Sequence, residues 1–321
     1  MIELTLVCGF LGAGKTTWLD HHLRGSSERL DLLIVNDFAE EGIDHLTLRD
    51  AGGTGARVEA IVGGCVCCSK LEELRAALSG AVDRSHRGGV AGRSRVVVET
   101  SGLAEPHNVV RLLSEDPVLR TNVMLHDLVV VLDGVGGRRT LRHRAAARAQ
   151  VGLADRVVIA RADLVDAAEL AELAGIVRVL TESATITVAD HGMETPIEAV
   201  APTDPQPFDD AADDLPIRSL TTSLGQGTSW AEYAVWLDAV CRAHPDGLLR
   251  SKGLVPTSDG PLLVQSMGAD VALPVAADVT AGSSMVFILS GIDPDDLARS
   301  LTTFVPSAVA TDTSVPGRSA D

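Results

Sequence analysis

The sequence predicts an α/β protein: a mostly parallel sheet with helices on both faces, followed by a small α+β domain. Three observations carry this. Apolar runs alternate with helical patterns over roughly the first two hundred residues. The runs are rich in Val, Ile and Leu, as fits strands buried on both faces of a parallel sheet. A stretch rich in Pro, Asp and Ala around Pro202–Pro216 then separates this rhythm from a different one.

In chain order, strands are expected at Glu3–Cys8, Asp31–Asn36, Arg57–Val62, Arg95–Glu99, Asp127–Leu132, Arg156–Ala160 and Thr185–Val188. Helices are expected between most of them, at Lys15–Arg24, Lys70–Leu78, Thr140–Gln150 and Asp166–Val177. Beyond the Pro-rich stretch come a strand near Ile217–Thr222, a helix at Ser229–Ala243, and short strands near Leu262–Ser266, Val271–Val275 and Met285–Leu289. A helix at Asp293–Leu301 follows. The expected domains are residues 1–204 and 216–306, joined by a linker at 205–215, with a disordered tail at 307–321.

Composition narrows the function classes. The 321 residues are too many for one small core. A formal net charge of −17 argues against nucleic acid and anionic membrane as main partners, because both want a basic surface. Aromatics are only 3%, so the core rests on Val, Leu, Ile and Ala. Met1–Cys8 runs into a strand with no basic leader, and no apolar run approaches the roughly 20 residues that span a bilayer. A cytoplasmic protein with reduced thiols is expected, and three of the five cysteines fall within four positions.

Gly9-Phe-Leu-Gly-Ala-Gly14-Lys15-Thr16 fits the phosphate-loop pattern between a predicted strand and a predicted helix. Gly9, Gly12 and Gly14 let successive N–H groups turn toward phosphate oxygens, and the helix adds its positive end. Lys15 would neutralise the β- and γ-phosphates, and the Thr16 hydroxyl would hold Mg²⁺. The expected sheet is therefore that of a P-loop NTPase.

Val96-Val-Val-Glu99-Thr-Ser-Gly102 is a second phosphate-side element. Glu99 ends an apolar strand where a carboxylate reaches Mg²⁺ or its water, and Gly102 leaves its N–H open to the γ-phosphate. Alone, an acid at a strand end is often only a helix cap; beside a P-loop it reads as a switch segment.

Gly63-Gly64-Cys65-Val66-Cys67-Cys68 concentrates soft ligands suited to Zn²⁺ and similar ions. In an extended segment Cys65 and Cys67 share a face, and a turn brings Cys68 round. Three buried thiols or a redox pair remain open readings, although the run is C-x-C-C rather than a C-x-x-C pair opening a helix. The cluster supplies at most three ligands, and an open fourth position suits transfer better than permanent structure.

These motifs, in this order, resemble the CobW-like metallochaperones among the G3E P-loop GTPases. The resemblance rests on the loop Gly9–Thr17, on Cys65-Val-Cys67-Cys68, and on Glu99-Thr-Ser-Gly102-Leu-Ala-Glu-Pro106. Asn36-Asp37-Phe38-Ala39-Glu40 and Leu249-Arg250-Ser-Lys252-Gly253 also resemble family segments, and the likeness runs to about residue 306. It implies a GTP site formed by Gly9, Gly12, Ala13, Gly14, Lys15, Thr16 and Thr17, with Lys15, Glu99 and Gly102 serving hydrolysis. It implies Mg²⁺ held by Thr16 and Glu99, and Zn²⁺, or Co²⁺ in its place, held by Cys67, Cys68 and Glu40, with Cys65 beside them.

The guanine-reading Asn-Lys-x-Asp pattern is here Ala160-Arg161-Ala162-Asp163. Asp163 keeps the acceptors for guanine N1 and N2, Arg161 can stack on the base, and the missing Asn weakens base selectivity. Asp37 and Ala39 replace the family's usual Glu and Gly, and no His-rich tract precedes the second domain.

The resulting expectation is a GTPase that couples nucleotide hydrolysis to delivery of a thiophilic metal to a client protein. No nucleic-acid or membrane partner is expected, and a homodimer is left open. The rivals are a metal-sequestering or sensing protein with vestigial hydrolysis, and a small-molecule kinase, which gives the cysteines no role.

Overall fold

The computed structural model describes residues 1–25, 30–37, 57–62, 70–87, 94–102, 104–181, 183–190, 193–197, 217–244, 247–268, 270–277 and 284–309. Residues 1–214 and 215–321 form two compact units. The expected linker lies outside the described residues.

In the first unit, strand β1 (Ile2–Cys8) leads to helix α1 (Lys15–Gly25). Then come β2 (Leu32–Asp37), β3 (Arg57–Val62), α2 (Leu71–Arg87) and β4 (Ser94–Glu99). After α3 (Pro106–Glu115) and α4 (Pro117–Asn122) the chain enters β5 (Val123–Asp133). It continues through α5 (Gly137–His143), α6 (Ala145–Gly152), β6 (Arg156–Ala160), α7 (Ala167–Leu180), β7 (Thr185–Asp190) and β8 (Met193–Pro196). The strand order is β3-β2-β4-β1-β5-β6-β7-β8. Every pair is parallel except β7 with β8. The predicted mostly parallel sheet is present.

Alternating strand residues explain why both faces are covered. Val7, Val97, Val129, Val131 and Val158 pack with Trp18 and Leu19 of α1. Their neighbours Leu6, Val98, Val130 and Ile159, pointing the other way, are buried as well. β1 sits between β4 and β5, so the loop after it opens at the centre of the sheet's carboxyl edge, where ligands of open α/β sheets bind.

One expectation needs correction here. The helix expected at Thr140–Gln150 is two helices, broken where Arg144 is extended (φ −133°, ψ 101°). The break lets the buried Arg148 guanidinium donate to the carbonyls of Leu141 (2.8 Å) and Arg142 (3.3 Å), satisfying the end of α5. α3 and α4 are not among the helices named above; α3 buries Pro106, Val109 and Leu113 on one face, each helix starts with a proline in its first turn, and Asp116 caps α4 through the N–H groups of Val118 and Leu119.

The second unit is an antiparallel sheet with two helices: β9 (Ile217–Leu224), α8 (Trp230–Ala243), β10 (Leu248–Thr257), β11 (Gly260–Met267), β12 (Asp270–Val271), β13 (Val275–Ala276), β14 (Ser284–Ser290), α9 (Pro294–Phe304) and β15 (Ala308–Val309). The order is β12-β11-β10-β14-β9-β15, with β13 also on β11. Helix α8 buries Tyr233, Trp236, Leu237, Val240 and Cys241 at helical spacing against Met285, Phe287 and Leu289 of β14. The strand expected at Val271–Val275 is split into β12 and β13, because Pro274 between them has no N–H for a ladder. Residues 307–309, expected to belong to the tail, are tied to the sheet instead. Gly225 donates its N–H to the Ser307 carbonyl (2.7 Å), and Ala308 and Val309 pair with β9.

Candidate functional site

The loop after β1 is fixed by backbone crowding. Gly9 has φ +143°, and a Cβ there would lie 2.2 Å from the Val131 carbonyl oxygen of β5. Only glycine lets the loop leave the sheet so close to its neighbour. The Lys15 side chain folds back over the loop and is buried; its ammonium donates to the carbonyls of Gly9 (2.8 Å) and Phe10 (3.3 Å). Gly12, Ala13 and Gly14 complete the turn, and Lys15, Thr16 and Thr17 form the first turn of α1. The positive helix end and the lysine are thus gathered in one cradle suited to phosphate.

Glu99, at the end of β4, is buried and accepts a hydrogen bond from Thr16 Oγ1 at 2.7 Å. The two side chains predicted to share Mg²⁺ are brought together across 83 residues of sequence. Both offer hard oxygen, so the pair fits a magnesium ion, which when bound would neutralise phosphate charge. Thr100 then clips the segment to β1 through its N–H (2.9 Å) and Oγ1 (3.2 Å) to the Val7 carbonyl. Gly102 lies against the P-loop: a Cβ there would fall 2.5 Å from the Leu11 nitrogen.

Sequence reasoning gave Asn36 no role of its own. It is buried; its Nδ2 donates to the Ile61 carbonyl (3.0 Å) and its Oδ1 accepts from the Ser101 N–H (3.2 Å). One amide thus joins the ends of β2, β3 and the segment after β4. A polar residue closing the apolar run Leu32–Val35 was the available signal.

At the base-reading loop, Arg161 takes a left-handed conformation (φ 55°, ψ 38°). Its guanidinium is paired with Asp133 at the end of β5 rather than left free to stack. Asp133 also accepts from the N–H groups of Val135 (3.1 Å) and Gly136 (2.9 Å). Asp163 is exposed, and the Ala160 side chain faces Gly14 of the P-loop, 3.8 Å from where a Cβ on that glycine would stand.

α1 is anchored on the side away from the loop by Glu194 of β8, another residue that sequence reasoning passed over. Its carboxylate accepts from Trp18 Nε1 (2.9 Å) and Thr187 Oγ1 (2.9 Å) and lies 3.3 Å from His22 Nδ1. Arg156 Nη1 is 3.2 Å away, and its guanidinium lies 5.6 Å over the Trp18 ring. Burial disfavours the charge, but the hydrogen bond from His22, the Arg156 charge, and the bonds from Thr187 and Trp18 outweigh it and hold the carboxyl down to about 2.

Cys65, Cys67, Cys68 and Glu40 lie outside the described residues. Among the described residues no three His, Cys, Asp or Glu side chains gather as a metal site. Cys8 and Cys241 are buried and form no disulfide. No helix among the described residues is long and apolar enough to cross a membrane.

The family model described as the CobW/HypB/UreG nucleotide-binding domain matches residues 3–188. The chain belongs to this CobW family of P-loop GTPases. The model of the CobW C-terminal domain matches residues 217–305, so both CobW modules are present in order. The zinc chaperone YjiA of Escherichia coli is 28% identical over 302 residues, 89% of this chain and 93% of that protein. The zinc chaperone CobW of Pseudomonas aeruginosa is 35% identical over 138 residues, 41% of this chain and 35% of that protein. The crystal structure of Zn(II)-bound YjiA GTPase from E. coli superposes with a TM-score of 0.58 at 20% identity, covering 94% of this chain and 98% of that one, a likeness of fold. As a CobW-family member the chain carries a nucleotide-binding domain and is a GTPase.

Proposed function

We propose that this CobW-family protein is a Mg²⁺-dependent GTPase whose nucleotide state governs binding of a thiophilic divalent metal, zinc first and cobalt second, and its delivery to a client protein in the cytoplasm. In this reading the phosphate cradle is Gly9, Gly12, Ala13, Gly14, Lys15, Thr16 and Thr17. Thr16 and Glu99 hold Mg²⁺, and Gly102 meets the γ-phosphate. The metal is cargo, held by Cys67 and Cys68 with Cys65 or Glu40.

The observation that carries the reading is the Asn36 amide. It binds the Ile61 carbonyl, four residues before Cys65, and the Ser101 N–H, between Glu99 and Gly102. Asn36 itself stands four residues before Glu40. A γ-phosphate that draws on Gly102 therefore pulls on the roots of both metal-bearing segments. The relatives agree in kind: besides the zinc chaperones, a zinc-regulated GTPase metalloprotein activator of Schizosaccharomyces pombe is 26% identical over 173 residues.

The test is competitive Zn²⁺ titration of the nucleotide-free, GDP-bound and non-hydrolysable-GTP-bound protein, repeated with Cys67→Ala/Cys68→Ala. The expected result is one tight site whose affinity changes about fivefold or more with nucleotide and is lost in the double variant, since coupling of roughly 1–3 kcal/mol is typical. Equal affinity in the three states removes the gating; unchanged affinity in the double variant removes the site.

A further inference from the structure

We infer that the face of α5 beside the P-loop docks an acidic segment of a protein partner, and that docking is coupled to the nucleotide. The inference deepens the delivery reading, on which it relies only for calling that partner the client.

Charge is segregated here. In a chain of net charge −17, residues 134–154 carry five arginines and one histidine and no Asp or Glu. Two of the arginines are committed elsewhere: Arg138 pairs with Glu172 (2.6 Å), and Arg148 is buried against the carbonyls of Leu141 and Arg142. Arg139, His143 and Arg144 instead line a cavity of about 490 Å³ with Phe10, Gly136 and Thr140. The Arg144 guanidinium lies 5.9 Å over the Phe10 ring. Neither Arg139 nor Arg144 has an ion-pair partner among the described residues.

The chemistry selects the occupant. Exposed guanidinium groups around an aromatic floor suit carboxylates on short apolar stems, as Glu side chains present them. A nucleic acid or an anionic bilayer meets the field of the whole acidic chain, whereas a short acidic segment meets the local patch. A lone oxyanion leaves most of the cavity, and the Phe10 ring, without contact.

Coupling follows from Phe10. Its ring lines the cavity, while its carbonyl accepts from the Lys15 ammonium (3.3 Å) and the Ala13 N–H (3.1 Å). An occupant that shifts Phe10 shifts the acceptors that hold the phosphate-binding lysine. By linkage, nucleotide must alter docking by the same factor.

The experiment is a fluorescence-anisotropy titration of labelled hexaglutamate with the full chain, loaded with GDP or a non-hydrolysable GTP analogue. Arg139→Glu/Arg144→Glu is compared with Arg120→Glu, which reverses an exposed charge on α4 outside the cavity. The expected result is binding by the parent and Arg120→Glu alike, at least tenfold weaker in the double variant, and at least threefold different between nucleotide states. Arg144→Gln, a milder change, gives an intermediate loss and guards against a misfolded double variant. Equal binding by the parent and both cavity variants overturns the inference. So does displacement of the peptide by orthophosphate at matched charge as effectively as by unlabelled hexaglutamate, which marks a small-anion site. Hexaglutamate needs no metal, so binding retained in Cys67→Ala/Cys68→Ala separates this surface from the zinc reading, and either can fail alone.

Discussion

Asn36 Oδ1 accepts the Ser101 N–H at 3.2 Å, a bond across 65 residues that ties the start of one loop to the segment following Glu99. Asn36→Ala leaves the Ser101 N–H and the Ile61 carbonyl buried without this partner, which costs about 1–3 kcal/mol. Urea denaturation should show that loss. The more telling readout is the nucleotide dependence of Zn²⁺ affinity, which should flatten while Zn²⁺ still binds. Undiminished dependence in a folded variant shows that the coupling runs by another route.

Lys15→Ala should fold and lose tight nucleotide binding. The ammonium already sits over the carbonyls of Gly9 and Phe10, so it needs only a small shift to reach a phosphate in a poorly hydrated cradle. Loss of charge-assisted bonds of this kind costs roughly 2–3 kcal/mol, about a hundredfold in affinity. Calorimetric titration with GDP and a GTP analogue checks it.

Base selectivity should favour GTP over ATP only modestly. Asp163 offers acceptors that match guanine, but Ala160 has no amide. Because the Ala160 side chain faces Gly14, Ala160→Asn places an amide next to the P-loop backbone and should raise GTP affinity by about 0.5–1.5 kcal/mol with little change for ATP. Equal ATP and GTP affinity in both proteins would mean that Asp163 does not read the base.

Acid stability should carry the mark of Glu194. Its folded-state value of about 2 lies below the ordinary glutamate range, so its contribution is present above about pH 4.5 and disappears as pH falls toward 2. The amount is of order 2–3 kcal/mol for this mostly buried carboxylate. Glu194→Gln should remove it at neutral pH and abolish the pH dependence in that window. Trp18, the only tryptophan of the first unit, donates to this carboxylate and reports the change by its emission. A variant as stable as the parent at pH 7 contradicts the assignment.

Much of this was legible because it is local. Gly9–Thr16 and the Val96–Glu99 run each state their geometry within a few residues, so the cradle and its acid could be read before their 2.7 Å contact was seen. What escaped reading depends on distant partners. Nothing near Glu194 hints that it meets Trp18, since the pairing requires an antiparallel last strand. The break at Arg144 depends on where Arg148 finds carbonyls, not on propensity. The sequence marks β10 only through the family-like segment Leu249–Gly253, because Lys252, Gly253 and Pro256 interrupt its apolar alternation; its pairing with β11 and β14 overrides them.

The central place of β1 has a consequence for synthesis. This strand is made long before its ladder partners, which begin at Ser94 on one side and Val123 on the other, the latter pairing reaching Val130. At about 5–20 residues per second, the ribosome needs on the order of ten seconds before both exist. Until then Leu4 and Leu6 have no sheet to bury them, and the Gly9 turn lacks the Val131 carbonyl it grazes. Nucleotide cannot rescue the nascent chain early, because its cradle is assembled by the same late pairing. Arrested chains ending before Val123 should therefore be protease-sensitive with or without GTP, and protection by GTP should appear abruptly once β5 has emerged.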